Sequence, residues 1–287
     1  MIKAVRYENL LNNQSLGTDS IYVRSSSIER CIVTAESFLD GFLQNADKVA
    51  PINIVPPLED AMLKFPGMPC PKHKLEFIRN VRLDQPDAIE LTNYGMFLKY
   101  VEYHSGEDIK DLEHLANIGD TLTVERNYGL EIPSWAEDIY DDFTPVLEFT
   151  MDRMSSSKWL QIKSGLLLND IFERFNHFIR PPPYQKQREN VLFYSAHDLN
   201  VQSLLVLLGV FDQTRVRADY GAVVALELHQ NKSLRDDMEV QIFYFRDFGD
   251  EDPINVRIPS CPAPCAYSKF KDLMKSKLVK NYRRACY

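Results

Sequence analysis

The fold is decided by the stretch Val191-Leu192-Phe193-Tyr194-Ser195-Ala196-His197-Asp198. Its first five residues are apolar or β-prone and include no glycine or proline, which is typical of a short strand buried on both faces. A mostly apolar run, Val201–Leu208, follows, and Gly209 stands where such a helix would end. His197 and Asp198 are therefore predicted to lie where a strand ends and a helix begins, the place where open α/β sheets bind ligands.

A second junction of the same kind is predicted near the N-terminus. Ser20–Val23 is a short strand candidate, and Arg24 follows it directly. From Ile28 to Phe42, apolar residues recur at a spacing of three to four, which predicts an amphipathic helix. Arg24 would then lie, like His197, at a strand end and a helix start.

These residue types suit the chemistry of a phosphate ester. An arginine offers a planar fork of donors to phosphate oxygens, and helix N-termini add backbone N–H donors. An imidazole can donate a hydrogen bond to a phosphoryl oxygen, and a neighbouring carboxyl can protonate a departing alkoxide. The alternative is structural, with His197 satisfied in the core and Asp198 capping the helix at Leu199.

The rest of the pattern predicts an α/β protein. Residues 51–72 contain six prolines, which indicate an extended crossing segment, and residues 73–180 are mainly helical in pattern. Ala222–Leu228 and Glu239–Phe245 are predicted to be paired strands. This order favours a three-layer sandwich with a mixed, mostly parallel central sheet and a largely helical inserted cap domain.

The predicted domains are a discontinuous α/β core and one insertion. The core comprises residues 1–57 and 155–287, with its first strand missing, and the mainly helical insertion comprises residues 58–154. The net charge of −8 is a poor basis for nucleic-acid binding. No apolar run approaches the ~20 residues of a membrane span, and no signal peptide is recognisable after Met1.

The five cysteines favour an oxidising compartment. Cys261 and Cys265 flank two prolines, which favours a small disulfide loop over a reduced pair or a zinc site. Cys31 is predicted to be a buried core thiol. Asn13 and Asn231 begin glycosylation sequons, which add weak support for secretion.

Several of these motifs resemble histidine acid phosphatases, most closely the animal lysosomal and prostatic type. Tyr22–Ser26, followed by Glu29-Arg30, is similar to that family's arginine block, and Tyr194–Asp198 is similar to its Ser-Ala-His-Asp block. Further matching landmarks follow in the same order along nearly the whole chain: the prolines of 51–57, Ile132–Trp135, Ser164–Leu167, and Ile258–Cys261 with Cys265.

The resemblance implies a phosphomonoesterase that works at acid pH without a metal or other cofactor. Arg24 and His197 would bind the phosphate, and Asp198 would be the general acid and then the base that activates water. The implied disulfides are Cys70–Cys286 and Cys261–Cys265. The substrate would be a small phosphate monoester or a phosphoprotein, a homodimer is possible, and the family location is lysosomal or extracellular.

The chain departs from the family at the nucleophile. The family forms a phosphohistidine on the histidine of an Arg-His-Gly-x-Arg-x-Pro motif, whereas this sequence has no such motif and no histidine before His73. We therefore expect an N-terminally truncated chain, inactive as written, whose full-length parent carries that motif upstream on a strand beside 191–195. The alternative is a non-catalytic pseudophosphatase that binds phosphorylated ligands.

Overall fold

The computed structural model describes residues 20–43, 50–84, 89–183, 189–214 and 218–287. The chain divides into two compact units. The first comprises residues 1–72 and 160–287, and the second comprises residues 73–159. All the sequence-predicted site residues that the structure describes lie in the first unit.

A parallel three-stranded sheet carries both predicted junctions. Its strands are β1 (Ile21–Ser25), β2 (Ile52–Ile54) and β3 (Val191–Ser195), in the order β2-β1-β3. In the register, Arg24 is opposite Tyr194, so the carboxyl ends of β1 and β3 meet at one edge of the sheet. The predicted strand at 191–195 is confirmed. β2 was missed, because three residues within a proline-rich segment carry no measurable periodicity.

The prediction that β3 is buried on both faces is wrong. Its first four residues are only half-buried, and only Ser195 is buried. Among the described residues, β3 is the last strand of its sheet and pairs with β1 alone. A strand with one neighbour lacks the cover that side chains of a second neighbour would give, which explains its partial exposure.

The remaining strands form an antiparallel sheet. They are β4 (Val223–Gln230), β5 (Met238–Phe245) and β6 (Ile254–Val256), in the order β4-β5-β6. The predicted pairing of the two longer strands is confirmed, and the three-residue β6 was missed. The α/β class is confirmed, although the described strands form two three-stranded sheets rather than one. β4, like β3, ends its sheet and is half-buried along most of its length.

Eleven α-helices lie in the part of the chain that the structure describes. In chain order, α1 to α11 are Glu29–Leu43, Pro71–Asn80, Tyr94–Ser105, Leu112–Asn127, Ser134–Glu137, Phe143–Ser155, Lys158–Ile179, Asp198–Leu208, Phe211–Thr214, Tyr267–Met274 and Tyr282–Cys286. The second unit is built from the helices between His73 and Trp159, with buried side chains such as Leu112, Leu115 and Val146 at its centre.

Helices cover both faces of the parallel sheet, which makes three layers. On one face, Val23 is fully buried, and the ring of Phe193 stacks on Phe38 of α1 with centroids 3.9 Å apart. On the other face, Tyr194 donates a hydrogen bond to Asp170 of α7. Side chains alternate between the two faces along each strand. Val23 and Phe193 therefore lie on the face that α1 covers, and Tyr194 lies on the face that α7 covers.

Helix α8 follows the predicted pattern closely. It begins at Asp198, buries Leu204, Leu205, Leu207 and Leu208, and ends at Gly209. Gly209 adopts the left-handed conformation with φ 76°, and its N–H bonds back to the helix. This geometry suits glycine, which has no Cβ to strain.

The two disulfides implied by the family resemblance are present in the structure. Cys70 bonds to Cys286 across a sequence separation of 216, and Cys261 bonds to Cys265 across a separation of 4. Cys31 is a free, buried thiol, as predicted.

Candidate active site

The structure brings Arg24 and His197 to neighbouring strand ends. Arg24 is the fourth residue of β1, so it lies inside the strand rather than after it as the sequence suggested. His197 stands two residues beyond β3, immediately before α8. The N–H of Ser26 donates to the carbonyl of Ser195 at 2.9 Å, which ties the two junctions together.

The ring of His197 is held by residues of the β1–α1 junction. Nε2 lies 2.9 Å from the hydroxyl of Ser26, and Nδ1 lies 3.5 Å from Nη2 of Arg30. A guanidinium can only donate, so Nδ1 is the acceptor and the neutral ring carries its proton on Nε2, toward Ser26. The thiol of Cys31 is 3.8 Å from Nδ1 and donates to the carbonyl of Ala196.

Burial lowers the pKa of His197 to about 4, helped by the positive charges of Arg30 and Lys64, while the carboxylate of Asp60 opposes them. The imidazole is therefore neutral above that pH and offers a single N–H. The same cations that disfavour a second proton create a positive potential that attracts an anion.

Arg24 is almost completely buried, with 6% of its surface exposed. Its Nη1 donates to the carbonyls of Ser25 at 2.5 Å and Asn53 at 3.2 Å. Its Nη2 forms an ion pair with Asp60, 3.1 Å from Oδ2. The guanidinium is thus fixed by contacts to both terminal nitrogens.

Asp60 was missed by the sequence analysis. It lies in the proline-rich segment between β2 and α2, where no helix or strand pattern marks a functional face. Its partner Arg24 is 36 positions earlier in the chain, and such a long-range pair leaves no local signal. The sequence offered one weak signal for Asp60, which is a charged residue inside a segment predicted to be an extended crossing.

Asp198 is the first residue of α8, and it is exposed. Its Oδ1 accepts the N–H of Leu199 at 2.7 Å. A carboxyl at this position is next to His197 and in contact with solvent. It can therefore exchange protons with water, as a general acid or base must.

Within the described residues, no group of three or more histidine, cysteine, aspartate or glutamate side chains could hold a metal ion. None of the described helices contains an apolar stretch that could span a bilayer. The predicted glycosylation residue Asn231 lies between β4 and β5 and donates to Glu239, whereas Asn13 lies outside the described residues. Glycosylation at both stays a prediction.

Acidification should destabilise the chain through His197. Because its folded pKa of about 4 lies below the ordinary 6.5, the unfolded state binds the extra proton between these values. Stability is therefore lost as the pH falls through this window, by about 3 kcal/mol at most. Urea unfolding at pH 6.5 and pH 4 should show a smaller acid loss in His197→Asn than in the unaltered chain. The control is His177→Asn, at an exposed position in α7. Its free energy of unfolding should fall between pH 6.5 and pH 4 by as much as that of the unaltered chain. An equal loss in all three proteins would contradict the assignment.

Comparison with known proteins gives consistent matches along the chain. The profile of the histidine phosphatase superfamily (branch 2) matches residues 3–246. Human lysosomal acid phosphatase is 28% identical over 299 residues, covering 98% of this chain and 67% of its own length. Mouse prostatic acid phosphatase is 24% identical, with 98% and 75% covered. The chain thus spans about two thirds to three quarters of the length of these relatives.

Solved structures share the fold at lower sequence identity. The Hafnia alvei phytase in complex with tartrate superposes with a TM-score of 0.68 at 16% identity, covering 99% of this chain and 84% of the other.

Proposed function

Because the chain belongs to the histidine phosphatase superfamily (branch 2), we propose that Arg24 and His197 bind the phosphate group of a phosphate monoester. The observation that carries the proposal is the junction of β1 and β3. There, a buried, fixed guanidinium and a neutral imidazole lie on strand ends joined by the Ser26–Ser195 hydrogen bond. Relatives over nearly the whole chain are acid phosphatases, so the chain is an enzyme by family.

Each residue has a role that its environment supports. Arg24 donates to phosphate oxygens, and the Nε2–H of His197 turns from Ser26 to a phosphoryl oxygen. Asp198, exposed beside His197, protonates the leaving alkoxide and then takes a proton from the attacking water. A bound phosphate anion stabilises the protonated imidazole, so binding is expected to strengthen as the pH falls from 6 toward 4.

The nucleophile is the missing part of this site. The 287 residues contain no Arg-His-Gly-x-Arg-x-Pro motif, and the first histidine is His73. We propose that the nucleophilic histidine belongs to a strand outside these residues that pairs with β3. Support comes from the two sheets, which end at the half-buried strands β3 and β4. The chain as written would then bind phosphate without hydrolysing esters.

The relatives and the net charge bear on the location, the substrate class and the partners of the chain. The relatives named lysosomal, together with the two disulfides, support a lysosomal or extracellular location. The substrate class is a small phosphate monoester or a phosphoprotein. The net charge of −8 argues against nucleic acid as a partner, and the homodimer implied by the family resemblance stays a prediction.

The test uses the purified chain of 287 residues. We expect inorganic phosphate to bind, as measured by isothermal titration at pH 5, and p-nitrophenyl phosphate to remain unhydrolysed at the same pH. Robust turnover that is lost in Asp198→Asn would show that the chain carries its own nucleophile and would contradict the proposed inactivity. Absence of any phosphate binding would contradict the site itself.

A further inference from the structure

The carboxylate of Asp60 is enclosed on all its hydrogen-bonding sites. Its side chain has no exposed surface in the ion pair with Arg24. Oδ1 accepts the N–H groups of Met62 and Leu63, both at 2.9 Å, and Oδ2 accepts the N–H of Lys64 at 3.2 Å. With Nη2 of Arg24 on Oδ2, four donors fix the orientation of this carboxylate.

The loop that presents Asp60 closes around a buried ammonium group. Lys163 of α7 is fully buried, and its Nζ donates to the carbonyls of Asp60 at 3.1 Å and Lys64 at 3.0 Å. The N–H of Met68 donates to the same carbonyl of Asp60 at 3.1 Å. Gly67, with φ 54°, is packed so tightly that a Cβ would lie 2.2 Å from the carbonyl oxygen of Lys64. The loop therefore has little freedom to move relative to α7.

These contacts form a chain of fixed groups from α7 to Arg24. Lys163 holds the backbone of the loop, the loop's N–H groups hold the Asp60 carboxylate, and the carboxylate holds Nη2 of the guanidinium. Nη1 is held separately by the carbonyls of β1 and β2. Without Asp60, one end of the guanidinium would keep its contacts and the other would lose its anchor.

Stability alone is a weak reason for such an arrangement. Burying an ion pair costs desolvation that the attraction only partly offsets, and well-packed apolar residues often do as well. Lys163 adds a third buried charge, and burial lowers its pKa to about 8. Lys163, Asp60 and Arg24 thus form a group of three buried charges that includes the proposed phosphate-binding arginine. The orientation that this group imposes on the guanidinium explains it better than stability does.

We infer that Asp60 is a positioning residue, which sets the orientation of Arg24 and thereby the preference of the site for a tetrahedral oxyanion. The inference rests on the proposed function of Arg24. Asp60 touches no substrate in this account and acts only through the guanidinium. Its negative charge by itself weakens anion binding, so its benefit lies in geometry.

The test separates geometry from charge by comparing two monoanions at pH 5, tetrahedral dihydrogen phosphate and planar nitrate. Phosphate affinity is measured by isothermal titration, and nitrate affinity by its competition with phosphate. In Asp60→Asn, loss of the negative charge strengthens the affinities for phosphate and nitrate alike. Loss of the fixed orientation of the Arg24 guanidinium weakens the affinity for phosphate alone. We expect the ratio of phosphate to nitrate affinity to fall about tenfold.

A double-mutant comparison shows whether Asp60 acts through Arg24. In an Arg24→Ala background, Asp60→Asn should change the ratio less than twofold, because the group that it positions is gone. The matched control is Asp250→Asn, since Asp250 is also buried and paired with an arginine, Arg246, at 2.8 Å. This control should lower the unfolding midpoint and leave the ratio unchanged.

The outcomes distinguish this inference from the proposed function. An unchanged ratio in a folded Asp60→Asn variant overturns the positioning role while the phosphate site stands. Failure of the unaltered chain to bind phosphate overturns both. If Asp60→Asn does not fold, Lys163→Met is used instead, because it removes the ammonium that fixes the loop and so loosens the Asp60 carboxylate without substituting Arg24 or Asp60. An unchanged ratio there also overturns the inference.

Discussion

Arg24→Ala is expected to weaken the binding of inorganic phosphate about a hundredfold. The substitution removes the charge-assisted donors of the guanidinium, and each such hydrogen bond contributes about 1.5–3 kcal/mol. It also leaves the carboxylate of Asp60 buried without its cation, which repels an incoming anion. Isothermal titration at pH 5 measures the change.

The same substitution is expected to destabilise the fold, so two control variants are needed to separate its effect on binding from its effect on stability. Leaving one member of a buried ion pair unpaired costs about 3–5 kcal/mol. The double variant Arg24→Ala, Asp60→Asn removes the stranded charge. It should recover stability and only the part of the phosphate affinity that the stranded charge repels, while the part supplied by the guanidinium donors stays lost. Arg246→Ala likewise leaves the buried carboxylate of Asp250 without its arginine partner, and it should leave phosphate affinity unchanged. Equal affinity in Arg24→Ala and the unaltered chain would exclude Arg24 as a phosphate ligand.

Loss of the Cys70–Cys286 disulfide should produce the largest fall in stability of any single change outside the site. The bond closes a loop with a sequence separation of 216, and cross-links across long loops restrict the unfolded chain most. Replacing both cysteines with alanine is expected to cost about 5 kcal/mol on this chain-entropy account. Urea unfolding of the oxidised and substituted proteins measures the difference.

The chain supplies its own control in the second disulfide. Cys261 and Cys265 are only 4 positions apart, so the same account gives a loss that is smaller by about 3 kcal/mol. Both pairs should therefore be replaced with alanine and compared under one buffer. Equal losses for the two pairs would show that local contacts, and not the length of the loop, govern their contribution.

The local parts of this fold were predictable from the sequence. The strand at 191–195, the helix that ends at Gly209 and the hairpin of β4 and β5 each carry a complete pattern of apolar spacing and turn residues. Arg24 and His197 were predicted as site residues because each stands where a strand pattern gives way to a helix pattern. The structure then places Arg24 on β1 and His197 two residues beyond the end of the neighbouring strand β3.

The parts that escaped prediction depend on contacts between distant segments. β2 has three residues and is defined by its pairing with β1, not by its own sequence. The partial exposure of β3 depends on how many strands lie beside it. The periodicity of its sequence does not reveal the number of neighbouring strands. Asp60 became visible only when folding brought its carboxylate to Arg24 and its backbone to Lys163.

A crystal structure of the purified chain with inorganic phosphate at pH 5 tests the central claim most directly. We expect one phosphate at the carboxyl ends of β1 and β3, with its oxygens within hydrogen-bond distance of the Arg24 guanidinium and of His197 Nε2. Phosphate bound only elsewhere at saturating concentration, with Arg24 and His197 unchanged, would contradict it.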